Sequence, residues 1–391
     1  MSATSPSTVS EASPRVFSRE VVLLLCVLAL LVLLGLTALF SRLYHKKVHS
    51  MADAMFARGQ VDEQAGQLDA ALADYRNALA YNPGNPRFQF YLAKALEAAG
   101  RGDESRSYLL NLLSETPGSG EINLELARIA ANRNSIADAM RYYQGAIYGE
   151  WDGDPIAMRW QVRRELCEAL LARGEVTQAA PEVLALAQDT PAGDLPRLKI
   201  VGQLLSRTQQ WTRALDLDRK LLVADPTDEE SLAGAAEAAF ELGQYITAME
   251  YFDRLPREGR EQPDLANRYD MTGRILAANP FLLGLPVEVR AQRVANALAL
   301  AQTRAEACAR QTGQSLEQIT PQTDLQRLYE QGKNLQKDWT LRYLEGSPDR
   351  LDAAMAYVFS VESAAAAACG EPQGDDRALW LLGRSRSAVN R

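Results

Sequence analysis

AGQLDAALADYRNALAYNPGNP, residues 65–86, decides the fold. Gly66 ends one helix. A second helix follows, with Ala71, Tyr75 and Ala78 on one face at the spacing of a helical stripe. Pro83 closes it, because proline cannot continue a helix. The same cassette returns five times. The turn positions are Gly66, Gly100, Asn134, Gly174, Gln209 and Gly243. A small residue stands five positions later in each copy: Ala71, Ser105, Ala139, Ala179, Ala214 and Ala248. Four residues further come Tyr75, Leu109, Tyr143, Val183, Asp218 and Phe252. Pro83, Pro117, Trp151, Pro191 and Pro226 close five of the copies.

The turns are spaced by 34, 34, 40, 35 and 34 residues. WDGDP at 151–155 is the insertion in the long step. The regularity has a physical cause. Small residues let two antiparallel helices approach, and the bulky residue one turn later plugs the gap to the next pair. Gly or Asn supplies a left-handed turn. A periodic helix pair of this kind implies a stack in which each pair buries its apolar face on its neighbours.

These residues resemble the tetratricopeptide-repeat family, whose pattern joins a first-helix Gly, a second-helix Ala-x3-aromatic and a closing Pro. Gly59 and Gly202 match the first. Ala71/Tyr75, Ala139/Tyr143 and Ala248/Phe252 match the second. The resemblance covers 52–257 as six helix pairs. Asp218 and Trp151 depart from the pattern, so the fifth and third copies are its weakest. The resemblance implies a TPR-like α-solenoid over 52–257. With the N-terminal transmembrane helix and the capping C-terminal helical bundle, both read below from the residues themselves, the expected fold is all-α. It also implies protein binding on the inward face of the first helices. Placing this sequence on the pattern puts Phe56, Phe90, Lys94, Arg128, Asn132, Arg164, Lys199 and Arg207 on that face. The set of Lys, Asn and Arg that clamps acidic chaperone tails in one subfamily is not found here.

The anchor is read from the residues alone. VVLLLCVLALLVLLGLTALF, residues 21–40, contains no charge. Twenty helical residues rise about 30 Å, the thickness of a bilayer's hydrocarbon. A cleaved signal peptide would have a shorter apolar run and a small-x-small site. Here Ser41, Arg42, Leu43, Tyr44, His45, Lys46 and Lys47 follow, which favours an uncleaved anchor. Residues 1–20 read as a disordered tail and 41–51 as a juxtamembrane segment. Arg15 and Arg19 on one side against Arg42, Lys46 and Lys47 on the other do not orient the helix.

After Leu255 the repeat register is lost. Residues 258–286 read as a connector with one short helix, over 265–278, and a packed apolar turn, NPFLLGLP at 279–286. Residues 287–391 read as a helical bundle. Its helices are expected over 287–311, with Val287, Ala291, Val294, Leu298, Ala301, Ala305 and Cys308 on one face, then over 322–345 and 349–369. Thr320 and Ser347, each followed by Pro, are the expected N-caps.

Chemistry is scarce. The two histidines, His45 and His49, lie at the end of the apolar run, so no zinc site or Ser/His/Asp triad is expected. No catalytic residue, metal, cofactor or small-molecule substrate is predicted. A net charge of -8 argues against nucleic acid. Of four cysteines, Cys26 lies in the anchor and Cys167 at a buried first-helix position. Cys308 and Cys369 fall at the same end of an up-down-up bundle. They read either as a bridge or as two buried free thiols. A bridge would place residues 50–391 in an oxidising compartment.

The expected function is a non-catalytic scaffold, single-pass in a bacterial inner membrane with its soluble domain toward the periplasm. It would dock a protein partner in secretion or envelope assembly, with residues 21–40 in the lipid. The alternative is an accessory or regulatory subunit of a membrane enzyme complex, acting through the transmembrane helix itself.

Overall fold

Six turns of this chain share one hydrogen bond. Gln67, Arg101, Ser135, Glu175, Gln210 and Gln244 each donate their N–H to the carbonyl five residues back, at 2.8–3.0 Å. The residue before each donor has a left-handed backbone. These are Gly66, Gly100, Gly174 and Gly243 at φ +72° to +75°, with Asn134 and Gln209 at +58°. This is the Schellman closure of a helix. It falls on the six turn positions that the sequence marks.

The computed structural model describes residues 19–313, 315, 316, 323–335 and 339–389. The chain divides into two compact units, Met1–Arg159 and Trp160–Arg391. Most of the first unit's expected tail, 1–18, lies outside the described residues, as does the expected cap Thr320. Among the described residues there is no strand, and a single isolated bridge pairs Ser119 with Glu150.

In the first unit the helices are α1 (Arg19–Gln64), α2 (Leu68–Tyr81), α3 (Pro86–Ala98), α4 (Gly102–Glu115), α5 (Gly120–Asn132) and α6 (Ile136–Ile147). The unit boundary falls in α7 (Pro155–Leu171). Apolar run, juxtamembrane segment and first repeat helix, read from sequence as three segments, are one helix of 46 residues. Its C-terminal part packs on α2. There a Cβ on Gly59 would stand 2.7 Å from the Tyr75 ring and 3.3 Å from the Ala71 carbonyl. That is the close approach the small residues permit. Ala71, Tyr75 and Ala78 are fully buried.

Trp151 replaces the closing proline of the third copy by a different device. Its indole N–H donates to the Ala146 carbonyl at 2.8 Å. Its ring covers Gly120 so closely that a Cβ there would meet it at 2.3 Å. The neighbouring backbone pairs too: Gly120 donates to Glu150, and Glu150 donates to Gly118. The GSG turn at 118–120 is therefore a seat for this loop.

In the second unit α8 (Val176–Asp189), α9 (Leu195–Arg207), α10 (Trp211–Ala224), α11 (Glu229–Glu241) and α12 (Tyr245–Arg254) continue the pairs. Cys167, Ala179, Val183, Ala214, Ala248 and Phe252 are fully buried in their interfaces. Then come α13 (Arg257–Arg260), α14 (Pro263–Ala278), α15 (Val287–Thr312), α16 (Asp324–Leu335), α17 (Leu341–Glu345), α18 (Pro348–Cys369) and α19 (Gly374–Val389). Helix α14 packs on α11 and α12, and α19 packs on α14. The last repeat is thus covered rather than left open, as a helical stack requires.

Several details of this region differ from the sequence expectation. The helix expected over 322–345 is two, α16 and α17, and Thr340 caps the second by accepting from the Tyr343 N–H at 3.3 Å. Val287, the first residue of α15, is exposed and not on the buried face. The turn at 279–286 is only partly packed: Leu283 is 97% exposed, while Phe281 is covered by the Arg386 guanidinium at 3.5 Å. Ser347 does cap α18, accepting from the Asp349 N–H at 3.2 Å. Helix α19 was not anticipated as a separate element.

Candidate functional site

The residues expected on the inward face divide between the two units. In the first unit Phe56 is not available to a partner. Its ring stacks 4.8 Å from Phe88 and lies 5.5 Å from Tyr75, and the side chain is buried. Phe56 is a core residue, because it fills the space between α1, its partner α2 and the next first helix α3. Phe90 stays half-exposed. The Lys94 ammonium sits over the Phe90 and Tyr91 rings at 6.0 and 5.6 Å, a cation–π arrangement. Arg128 pairs with Glu125 at 3.0 Å within α5. Asn132 donates to Glu97 across to α3 at 3.3 Å. Of these contacts, the one from Asn132 to Glu97 links neighbouring first helices.

In the second unit Arg164 pairs with Glu168 at 3.2 Å along α7. Lys199 and Arg207 line a groove of about 620 Å³ formed by α9, α11 and α14, with Asp218 of α10 at its base. Lys199 is bound to Asp228, which raises the lysine's pKa through that hydrogen bond. Arg268 pairs with Glu237 at 2.9 Å and with Glu241 at 3.4 Å. Burial pushes Glu237 above the usual carboxylate range, with Arg268 opposing.

Asp218 is the group that sequence reasoning passed over. It stands where the other copies have Tyr, Leu, Val or Phe, and it was read as a weakness of the fifth copy. It is 5% exposed, and its Oδ2 has no hydrogen-bond partner. Burial is the main reason its pKa is pushed up to about 8, with Asp228, Glu230 and Glu237 adding to it. Ser231 Oγ, also buried and without a partner, lines the same groove. The signal that marks the site is a carboxylate at a plug position together with Gly202 and Gly234 on the helices either side.

Among the described residues no group of three or more His, Cys, Asp or Glu side chains is arranged to hold a metal. Cys308 and Cys369 are joined as a disulfide, with Cα atoms 5.7 Å apart, linking α15 to the end of α18. Cys26 and Cys167 are free.

No curated protein sequence matches this chain. Similar solved structures include PilW, described as a widely conserved type IV pilus biogenesis factor, at 18% identity and TM-score 0.38; the match covers 55% of this chain and 97% of that one. PilF of Pseudomonas aeruginosa is 14% identical over 57% of this chain and 96% of its own, with TM-score 0.39. YrrB, described as a TPR protein with an unusual peptide-binding site, is 13% identical over 50% and 95%, with TM-score 0.38. At these identities and scores the likenesses carry no functional argument. The family model for the tetratricopeptide repeat matches residues 56–120 and 92–155. Those residues form helix pairs with the Schellman turns, small contact residues and plugs described above, and residues 56–155 of this chain are tetratricopeptide repeats.

Proposed function

We propose that this chain is a non-catalytic scaffold, anchored in a bilayer by residues 21–40, whose repeats dock a protein partner close to the membrane. One observation carries the reading: the apolar run and the first repeat share helix α1 without a break. Helix α1 contains a stretch long and apolar enough to cross a membrane, and none of that stretch is buried in the protein. Each exposed leucine there gains about 1.5–3 kcal/mol on transfer to hydrocarbon. The first repeat residue to be buried, Ala52, follows Phe40 by twelve residues, about 18 Å of helix. A stiff link of that length holds the repeats near the headgroups, and tethering raises the local concentration of whatever they bind. The Cys308–Cys369 link supports a soluble part in an oxidising compartment, the periplasm if the membrane is a bacterial inner one.

Membrane fractionation tests the anchor. Full-length protein is expected to stay in the pellet after carbonate washing, with an intact N-terminus by mass spectrometry. Protein starting at Ser50 is expected in the supernatant. Release of the full-length chain, or an N-terminus trimmed past Phe40, contradicts the anchor.

A further inference from the structure

The groove of the second unit has an unmet demand at its base. Asp218 reaches it between two glycines. A Cβ on Gly202 would lie 3.1 Å from Asp218 Oδ1, and one on Gly234 would lie 2.5 Å from Oδ2. Any larger residue at Gly234 presses on the carboxylate, so glycine keeps it in its place beside the groove. A buried acceptor with no donor is costly and is uncommon in folded proteins. Ser231 Oγ adds a second unpartnered polar atom in the same groove.

The walls do not share this demand. Lys199 is taken by Asp228, Arg268 by Glu237 and Glu241, and Glu230 accepts from Gln203. What is missing at the base is a donor, and the surrounding field is acidic, since Asp228, Glu230 and Glu237 all act on Asp218. A lysine suits such a place. Its ammonium is a compact charge with three donors, and its apolar stem can lie along the small residues Gly202, Ala233 and Gly234 that line the approach. A guanidinium is a broad planar fork that suits a carboxylate offering both oxygens, whereas Asp218 Oδ2 lies against Gly234.

We propose that this groove is a lysine-reading subsite, in which one lysine of a partner segment lying along α9 and α11 places its ammonium on the Asp218 carboxyl beside Gly202 and Gly234. The proposal rests on the scaffold reading, since it names the chemistry of the partner that the repeats hold. An ammonium seated there displaces the proton that burial keeps on the empty carboxyl at neutral pH.

The test uses the full-length protein in detergent and two peptides, acetyl-Ala-Ala-Lys-Ala-Ala-amide and its acetyl-lysine counterpart. Binding is measured by calorimetry at about pH 8.5, above the Asp218 value and below that of lysine. The lysine peptide is expected to bind about tenfold tighter than the acetylated one, because the acetyl group removes the charge-assisted donor. Asp218→Asn is expected to abolish that difference while keeping the helical circular-dichroism signal and thermal transition, as its amide fills the same volume without a charge. Gly234→Ala is expected to weaken the lysine peptide selectively. Equal binding of the two peptides to the unaltered protein, no binding of either, or a difference that survives in Asp218→Asn overturns the subsite. None of these results bears on whether the repeats capture a protein partner, which is measured separately.

Discussion

Glu362→Gln is expected to stabilise the second unit at neutral pH and to leave it unchanged near pH 4. Glu362 lies on α18, is fully buried, and neither of its carboxylate oxygens has a hydrogen-bond partner. Burial pushes its pKa up to about 8, Asp376 adds to the rise, and Arg304 opposes it. A carboxyl in an unfolded chain titrates near 4.5. Between these values the folded protein holds a proton that the unfolded chain has lost. Stability therefore falls as pH rises from about 4.5 and levels off above about 8. One pH unit in that window costs about 1.4 kcal/mol, so the penalty at pH 7 is on the order of 3 kcal/mol. Glutamine has the same shape and no proton to lose. Urea unfolding of parent and variant from pH 4 to pH 9 checks this. The gap should open with pH; a constant offset would show that Glu362 does not titrate as its surroundings require.

Cys308→Ser is expected to destabilise the same unit by about 2–4 kcal/mol, because the bridge closes a loop of 61 residues that the unfolded chain must otherwise search. Adding reductant to the parent protein should produce a loss of similar size, and should do nothing further to the variant. Alkylation of protein taken directly from cells gives the independent check. Cys308 and Cys369 should stay unlabelled in denatured, unreduced protein, while Cys26 and Cys167 take up label. Labelling of all four would remove both the bridge and the support it lends to an oxidising compartment.

The turns and plugs were legible because each is a local requirement. A left-handed residue every 34 or so positions, followed by a small residue and a bulky one, leaves its mark whatever else the chain does. Asn134 and Gln209 show how far the pattern carries, since both adopt the left-handed turn with side chains attached. What the sequence hid was non-local. The continuity of α1 was masked because apolar content changes abruptly after Phe40 while helix formation does not. Phe56 looked like a surface contact until Phe88 and Tyr75 came beside it from other helices. Helix α19 was missed because it is cut off by Gly370 and Gly374, both with left-handed φ, and its buried Ala378, Leu379 and Leu382 have no long repeat to announce them.

Asp218 is the instructive case for the candidate site. Read against the repeat, it was a defect in the fifth copy. In the fold it occupies the plug position, buried between α9 and α11, and puts a carboxyl that lines a groove where the other copies have an apolar side chain. Lys199 and Arg207 were placed at that groove by register alone, yet neither supplies its unmet group. A departure from a repeat pattern, flanked by glycines on both neighbouring helices, is the sequence feature to look for.

The most direct test of a docking scaffold is partner capture by the repeats without the anchor. Full-length protein is cross-linked and purified from its own membranes, and the proteins that accompany it are identified. Purified residues 50–391 are then titrated with the leading candidate in solution. The scaffold account predicts that residues 50–391 bind the same protein that the full-length chain retains in the membrane. A partner that follows the full-length chain but shows no affinity for residues 50–391 would contradict it, and would assign the interaction to α1 within the bilayer.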